Sequence, residues 1–203
     1  MPIEEITRYL HTDTETGRKN LHMMLAIHCA PFLKGMKEST MLTLPRKQAV
    51  ELAELAAEAG LNWYFLFHED GKDMVFLYRR EAFLRYVKIP DVERFLAERG
   101  YFEKDGSEAF LACRILGELS RRMNRYFHGK GEFPHEVGVL LGYPARDVED
   151  YIRLEGRGCL LVGYWKVYHN VRRAKRTFAA FDEAREQTVR EVLEGKELHQ
   201  LCN

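Results

Sequence analysis

The sequence predicts an α+β fold in which a mostly antiparallel, four-stranded sheet is covered by helices. An Asp-Gly pair at 70–71 separates two runs rich in aromatic and β-branched residues, 62–68 and 74–79, and this pattern is typical of a β-hairpin. Residues 46–59 are rich in Ala, Leu and Glu, which favours a helix. Residues 159–168 end in an aromatic run that predicts the last strand.

The first part of the chain predicts two helices and a strand before the helix at 46–59. Residues 3–10 are compatible with a short helix. A second helix is predicted at 20–30, with an asparagine as its N-cap, and Pro31 disfavours helical geometry at the residue before it. Residues 39–44 predict the first strand of the sheet.

Helices are predicted again after the hairpin. Residues 81–99 are helical in pattern up to Pro90, which ends or kinks the helix. A helical insert occupies about residues 107–155. Its long first helix carries one apolar face, and two short helices at 135–141 and 145–155 flank a Gly-Tyr-Pro turn. The insert therefore separates the hairpin from the last strand of the sheet.

The end of the chain predicts one long helix after the last strand. Asn170 is suited to cap a helix over 170–193, and the tail at 196–203 is expected to be loose. The order of elements is that of a split βαβ arrangement with a helical insert. Because the sequence has no repeat, low-complexity tract or linker, we expect residues 1–203 to form a single domain.

Composition excludes several classes of partner. The 203 residues contain 31 Lys and Arg and 31 Asp and Glu, so the formal net charge is zero. This balance gives no electrostatic reason to expect nucleic acid or an anionic membrane as the main partner. No run reaches the roughly 18 apolar residues of a membrane span, and the polar first residues do not resemble a signal peptide. We expect a cytoplasmic protein.

Four cysteines, at positions 29, 113, 159 and 202, form no C-x-x-C pair, so the sequence assigns no metal site. Cys29 is the candidate nucleophile. The nearby Lys34 and Lys37 favour its thiolate, whereas its position at a helix C-terminus disfavours the thiolate. The alternative is a buried small residue that packs beneath the turn.

His135 and Glu136 are the candidates for acid–base catalysis. Histidine exchanges protons near neutral pH, and a neighbouring carboxylate can orient it. Consecutive helical residues point about 100° apart, so the two side chains need not share a target. The alternative is that both belong to the first turn of a helix. A zincin motif would need a second histidine at position 139, which is Val139.

Aromatic residues and a lysine form the candidate ligand-binding group. On a strand, Tyr164 and Lys166 share one face, whereas Trp165 lies on the other. With Tyr143 from the Gly-Tyr-Pro turn, and with Lys37, these residues could stack a planar ring and hold a phosphate or carboxylate. The alternative is an aromatic core with the lysine stem extending to solvent.

The spacing of residues 135–152 also resembles a helix-turn-helix motif. Its second helix carries Arg146 and Arg153 against four carboxylates. Because phosphate contacts dominate DNA affinity, an acidic recognition helix argues against nucleic acid as a partner.

Three segments carry a resemblance to a known family. They are 29–37, which begins Cys-Ala-Pro; 133–148, with Phe-Pro-His-Glu-Val-Gly and Leu-Gly-Tyr-Pro; and 163–168, Gly-Tyr-Trp-Lys-Val-Tyr. Over about residues 20–185 the chain resembles the uncharacterised bacterial family DUF3793, a domain of unknown function common in anaerobic bacteria. The resemblance implies a shared fold and site and supplies no reaction.

Three functions remain open at the level of sequence. The first is a small-ligand or cofactor-binding protein for an anionic or planar ligand, whose cofactor the sequence does not identify. Its pocket would join Cys29 and Lys37 to His135 and Glu136, and to Tyr143, Tyr164 and Lys166. The second is an enzyme that uses Cys29 as nucleophile or His135 as acid or base. The third is a protein–protein interaction module without a ligand.

Overall fold

A computed structural model describes residues 16–102 and 108–202 and shows an α+β fold. The helix predicted at 3–10 lies outside the described residues. The elements, in chain order, are α1 Thr16–Leu33, β1 Ser39–Pro45, α2 Lys47–Glu58, β2 Asn62–Glu69, β3 Lys72–Tyr78, α3 Arg80–Val87, α4 Pro90–Ala97, α5 Leu111–Phe127, α6 Glu136–Leu140, α7 Ala145–Arg153, β4 Leu161–Val162, β5 Lys166–Val167, α8 Val171–Leu193 and α9 Leu198–Leu201.

The first three strands form an antiparallel sheet in the order β1–β3–β2. The predicted hairpin between β2 and β3 is confirmed, and Asp70 and Gly71 both have positive φ, as a tight two-residue turn requires. Strand β3 is central, so Val75 and Phe76 face opposite sides of the sheet and both are buried. This explains why β3 is an apolar run rather than an alternating one.

Helices cover both faces of this sheet. Phe76 lies in a core built with α3, α4, α5, α6 and α7, whereas Val75 lies in a core built with α1, α2, α8 and α9. Phe83 of the first core and Leu25 of the second are both fully buried. The sheet therefore separates two hydrophobic cores. Within the described ranges, no helix is long and apolar enough to cross a membrane.

The prediction of a fourth strand in the main sheet, at 159–168, is wrong. Strands β4 and β5 have two residues each and pair only with one another as a small hairpin, with Leu161 opposite Val167. The chain turns at Gly163, where a Cβ would lie 2.2 Å from Cε2 of Phe178 on α8. Only glycine permits this approach, and packing against α8 keeps the segment away from the main sheet.

The ends of several helices also differ from expectation. Helix α1 is already formed at Thr16, the first described residue, and continues past Pro31 to Leu33. It continues because Pro31 loses only one intrahelical hydrogen bond, and amides after the helix close its end on the carbonyls of Ala30 and Pro31.

The tail is not loose throughout, since Leu198 of α9 is buried in the second core. The break expected at Pro90 is confirmed by the separation of α3 and α4.

Arg79, directly after β3, ties the end of α1 to the sheet. Its Nη1 and Nη2 donate to the carbonyls of Phe32 and Leu33 at 2.5 and 3.0 Å, and its guanidinium lies 4.6 Å from the centroid of the Phe32 ring. These carbonyls belong to the last turn of the helix and have no partner within it, and the carbonyl of Phe32 also accepts from the amide of Gly35 at 3.0 Å. Arg79 therefore caps α1 from another element of the fold.

We predict that Arg79→Met lowers the free energy of unfolding by about 1.5–3 kcal/mol, because two charge-assisted hydrogen bonds are lost while the aliphatic stem is kept. Urea denaturation measures this change. The control is Arg85→Met on α3, whose exposed guanidinium lies 4.0 Å from Glu81 and whose loss is expected to cost less than about 0.5 kcal/mol. Equal losses in the two variants would contradict the capping role.

Candidate functional site

A cavity with aromatic walls lies between α6, α7 and the β4–β5 hairpin and has a volume of about 530 Å³. We call it the aromatic cleft. Its walls combine aliphatic side chains of α6 and α7 with aromatic, imidazole and ammonium groups. The groups that carry the chemistry are Phe133, His135, Tyr143, Tyr151, Trp165 and Lys166.

A buried carboxylate holds the two sides of the cleft together. Asp147, in the first turn of α7, is 3% exposed. Its Oδ2 accepts a hydrogen bond from Nε1 of Trp165 at 2.8 Å, and its Oδ1 accepts from the amides of Tyr168 and His169 at 3.0 and 2.9 Å. These three bonds attach the chain around β5 to α7. A surface contact between Nε2 of His169 and Oδ2 of Asp150, at 2.7 Å, also joins this segment to α7.

One wall of the cleft is a series of aromatic rings. Tyr143 and Trp165 stack with centroids 5.5 Å apart and an interplanar angle of 29°. Trp165 in turn packs in a T-shaped contact with Phe178 of α8, with centroids 4.5 Å apart and an interplanar angle of 80°. Such contacts fix the orientation of each ring. The indole therefore presents a defined surface to the cleft.

His135 also lines the cleft, beside a second group of rings. Its ring lies 5.1 Å from that of Tyr151 and 5.2 Å from that of Phe133. Burial lowers the pKa of His135, although the nearby carboxylates of Glu136 and Glu132 act in the other direction. The imidazole is therefore neutral at pH 7, with one nitrogen that donates and one that accepts.

Lys166 supplies the positive charge of the cleft. Its Nζ donates to the carbonyl of Gly156 at 2.8 Å and lies 5.5 Å from the centroid of the Tyr151 ring. Gly156 has a φ of +73°, and a Cβ there would lie 3.1 Å from the ammonium, so this position requires glycine. An ammonium has three donors, and the described residues engage one of them in a hydrogen bond. The others are available to a ligand.

Two of the residues proposed from the sequence lie outside the cleft lining. Cys29 is fully buried and accepts a weak hydrogen bond from Oγ1 of Thr40 at 3.8 Å. Burial raises the pKa of its thiol to about 11, so the thiol is protonated at neutral pH and out of contact with solvent. The Nζ of Lys37 lies 5.7 Å from the Tyr143 ring centroid, and burial lowers the pKa of this lysine.

His135 and Glu136 point to different cavities, in keeping with the angle between consecutive helical residues. The carboxylate of Glu136 is buried in an ion pair with Arg122. It faces a second cavity of about 350 Å³, which Arg121 and Arg125 also line. Glu136 therefore has a structural partner, and His135 alone of the pair faces the aromatic cleft.

Tyr164 also lies away from the cleft lining. Its hydroxyl donates to Oδ1 of Asp182 at 3.0 Å, and its ring packs on Phe178 and Phe181 of α8. The expectation that Tyr164 and Lys166 share a face is wrong, because regular alternation needs a continuous strand and the chain turns at 163–165. The same turn brings Trp165 to the cleft beside Lys166.

Two residues of the site, Asp147 and Tyr151, are absent from the sequence prediction, and the predicted strand puts Trp165 on the face opposite Lys166. Tyr151 lies one helical turn after Asp147 on α7, and this spacing is the signal that could have placed both on one side. In the part of the chain that the structure describes, no three His, Cys, Asp or Glu side chains cluster as a metal site.

Comparison with protein families gives one match, to the family described as Protein of unknown function (DUF3793), over residues 25–202. This range contains every residue of the aromatic cleft. Comparisons with curated proteins and with solved structures find no match.

We predict that Asp147→Asn lowers the free energy of unfolding by about 1–3 kcal/mol, because one of three inward-facing donors would then meet an amide NH₂ instead of an oxygen. Urea denaturation gives the loss, and a red shift of Trp165 emission reports that the indole has become wetter. The control is Asp150→Asn on the same helix, whose carboxylate pairs with Arg153 and His169 at the surface. A similar cost for both variants would argue against the role of Asp147 as the anchor.

The lowered pKa of His135 predicts a pH dependence of stability. As the pH falls below 6.5, the ordinary pKa, the unfolded chain takes up this proton before the folded chain does. The stability contributed by neutral His135 is therefore complete above 6.5 and is lost as the pH falls toward its folded pKa. We expect His135→Gln to lose less stability than the parent between about pH 7.5 and about pH 5.5. Exposed His28→Gln is the control, and a slope equal to the parent's in His135→Gln would refute the half-buried, neutral state.

Proposed function

The chain belongs to the DUF3793 family of proteins of unknown function, and we propose that it binds a small planar anion in the aromatic cleft. The observation that carries the proposal is the convergence of Trp165, His135 and Lys166 on one cavity. A cavity of about 530 Å³ lies within the roughly 300–1,000 Å³ of small-molecule sites and suits a ligand of one or two rings.

Preference for a planar ligand follows from the rings around the cavity. Trp165 and Tyr143 stack at an interplanar angle of 29°, and the rings of Tyr151 and His135 also line the cavity. Flat rings gain dispersion and quadrupole contacts with a flat ligand that they cannot make with a puckered one. Because packing already fixes these side chains, little conformational entropy is lost when the ligand binds.

Preference for an anion follows from the charged groups that can still form hydrogen bonds with a ligand. The Lys166 ammonium keeps donors for a ligand, whereas the carboxylate of Asp147 is buried and engaged by three donors. Neutral His135 adds one donor or acceptor without adding a negative charge. A carboxylate on the ligand would gain a charge-assisted hydrogen bond from Lys166, which is stronger than a neutral one.

The proposal is one of binding and not of catalysis. Cys29, the candidate nucleophile, is fully buried with a pKa of about 11, and only a thiolate attacks efficiently. Glu136, the candidate partner of His135, is engaged by Arg122 and faces another cavity. No pair of described side chains in the cleft therefore combines a nucleophile with an aligned base.

The binding proposal is tested with three probes of similar size: benzoate, which is planar and anionic; benzamide, which is planar and neutral; and cyclohexanecarboxylate, which is anionic and puckered. Calorimetric titration is expected to rank benzoate first. The chain has two tryptophans, so a Trp63→Phe background leaves Trp165 as the single reporter, and its emission is expected to change on binding.

We predict that Lys166→Met weakens benzoate binding about tenfold or more and leaves benzamide binding nearly unchanged, because only the anion loses a charge-assisted hydrogen bond. Lys72→Met, at the exposed first residue of β3, is the matched control and should bind as the parent does. The proposal fails if no probe binds in the millimolar range, or if benzoate and cyclohexanecarboxylate bind equally well.

A further inference from the structure

Between residues 172 and 186, the outer face of α8 carries charges that are separated by sign along the helix, and the exposed Arg190 lies on the same side one turn further on. Arg172 and Lys175 lie in its first half, Glu183 and Glu186 lie in its second half, and all four are exposed. The small residue Ala179 lies between the two halves and is also exposed. At about 100° per residue these five positions fall on one side of the helix, opposite the buried Ala174, Phe181 and Val192.

The fold does not use these charges internally. A helical residue reaches partners three and four positions away, and for Arg172 these are the cations Lys175 and Arg176. The corresponding neighbours of Lys175 are Phe178 and Ala179. Among the ion pairs of the described residues, none involves Arg172, Lys175, Glu183 or Glu186.

The distribution of charged side chains along α8 is also unfavourable with respect to the helix dipole. The N-terminal end of a helix carries partial positive charge, so cations are disfavoured there. Helix α8 nevertheless has no acidic residue in its first turn and has Arg172 and Arg173 in that turn. An arrangement that does not stabilise the isolated helix is explained by a partner that supplies the opposite charge.

The face is complementary to itself when a second copy runs antiparallel. A twofold axis through Ala179 places Arg172 opposite Glu186 and Lys175 opposite Glu183, and symmetry generates both pairs a second time. Ala179 would then meet its own copy at the centre, where a small side chain permits close approach of two helices. A parallel arrangement would instead place like charges together.

We propose that the outer face of α8 is a homodimer interface in which two copies of this chain pair antiparallel. The proposal is independent of the ligand proposed for the aromatic cleft. The formal net charge of zero means that two copies approach without long-range repulsion. Since the paired charges are exposed, the dimer is reversible and sensitive to salt, which shortens the screening length from about 10 Å at 0.1 M to about 3 Å at 1 M.

The test uses sedimentation velocity of the full chain at low and high salt, with two charge-reversal variants. Arg172→Glu/Lys175→Glu makes the four charged positions 172, 175, 183 and 186 all acidic, and Glu183→Lys/Glu186→Lys makes them all basic. Each variant alone is expected to be monomeric at the concentration at which the parent is dimeric. An equimolar mixture restores all four opposite-charge pairs and is expected to form a heterodimer within about tenfold of the parent's dissociation constant.

The matched control is Lys47→Glu/Lys72→Glu, which changes the net charge as much as the acidic variant does, at exposed positions on α2 and β3. It is expected to remain dimeric. Circular dichroism of each variant confirms folding, and formation of the heterodimer does so independently. A monomeric parent at low salt, dimers of either reversal variant alone, or a mixture that stays monomeric would each overturn the proposal.

Discussion

The aromatic cleft depends on the buried carboxylate of Asp147. Its oxygens accept hydrogen bonds from the indole of Trp165 and from two backbone amides that follow β5. A buried carboxylate is costly unless donors surround it, and three amide and indole donors are costly to bury without an acceptor. Each side of this contact therefore requires the other. The contact sets the distance between α7 and the hairpin, and with it the position of every ring that they carry.

Much of the fold could be predicted from local sequence, and its fourth strand could not. The Asp-Gly turn at 70–71, the break at Pro90 and the cap at Asn170 depend on residues near in sequence, and the structure confirms each. The segment around Gly163 also has the composition of a strand. Its conformation is decided by Phe178, fifteen positions later, and such a contact leaves no periodic pattern to detect.

The candidate site, like the fold, could be predicted from sequence only in part. The chemistry of His135 and Lys166 can be recognised from residue type, and the structure brings both to one cleft. Which of their neighbours join them depends on turns and burial. Trp165 reaches the cleft because the hairpin turns, Glu136 leaves it because Arg122 takes its carboxylate, and burial protonates Cys29. Residue type therefore predicts what a group can do, whereas its partners decide whether it does so here.

Strand β3 gives the two hydrophobic cores a common boundary, and this has a consequence for unfolding. Its alternate residues, such as Val75 and Phe76, belong to different cores. Loss of either helical layer would leave one face of β3 bare to water, so neither layer is a self-sufficient unit of folding. The two halves should melt in a single cooperative transition, and the amides of β3 should be among the last to exchange their hydrogens with solvent.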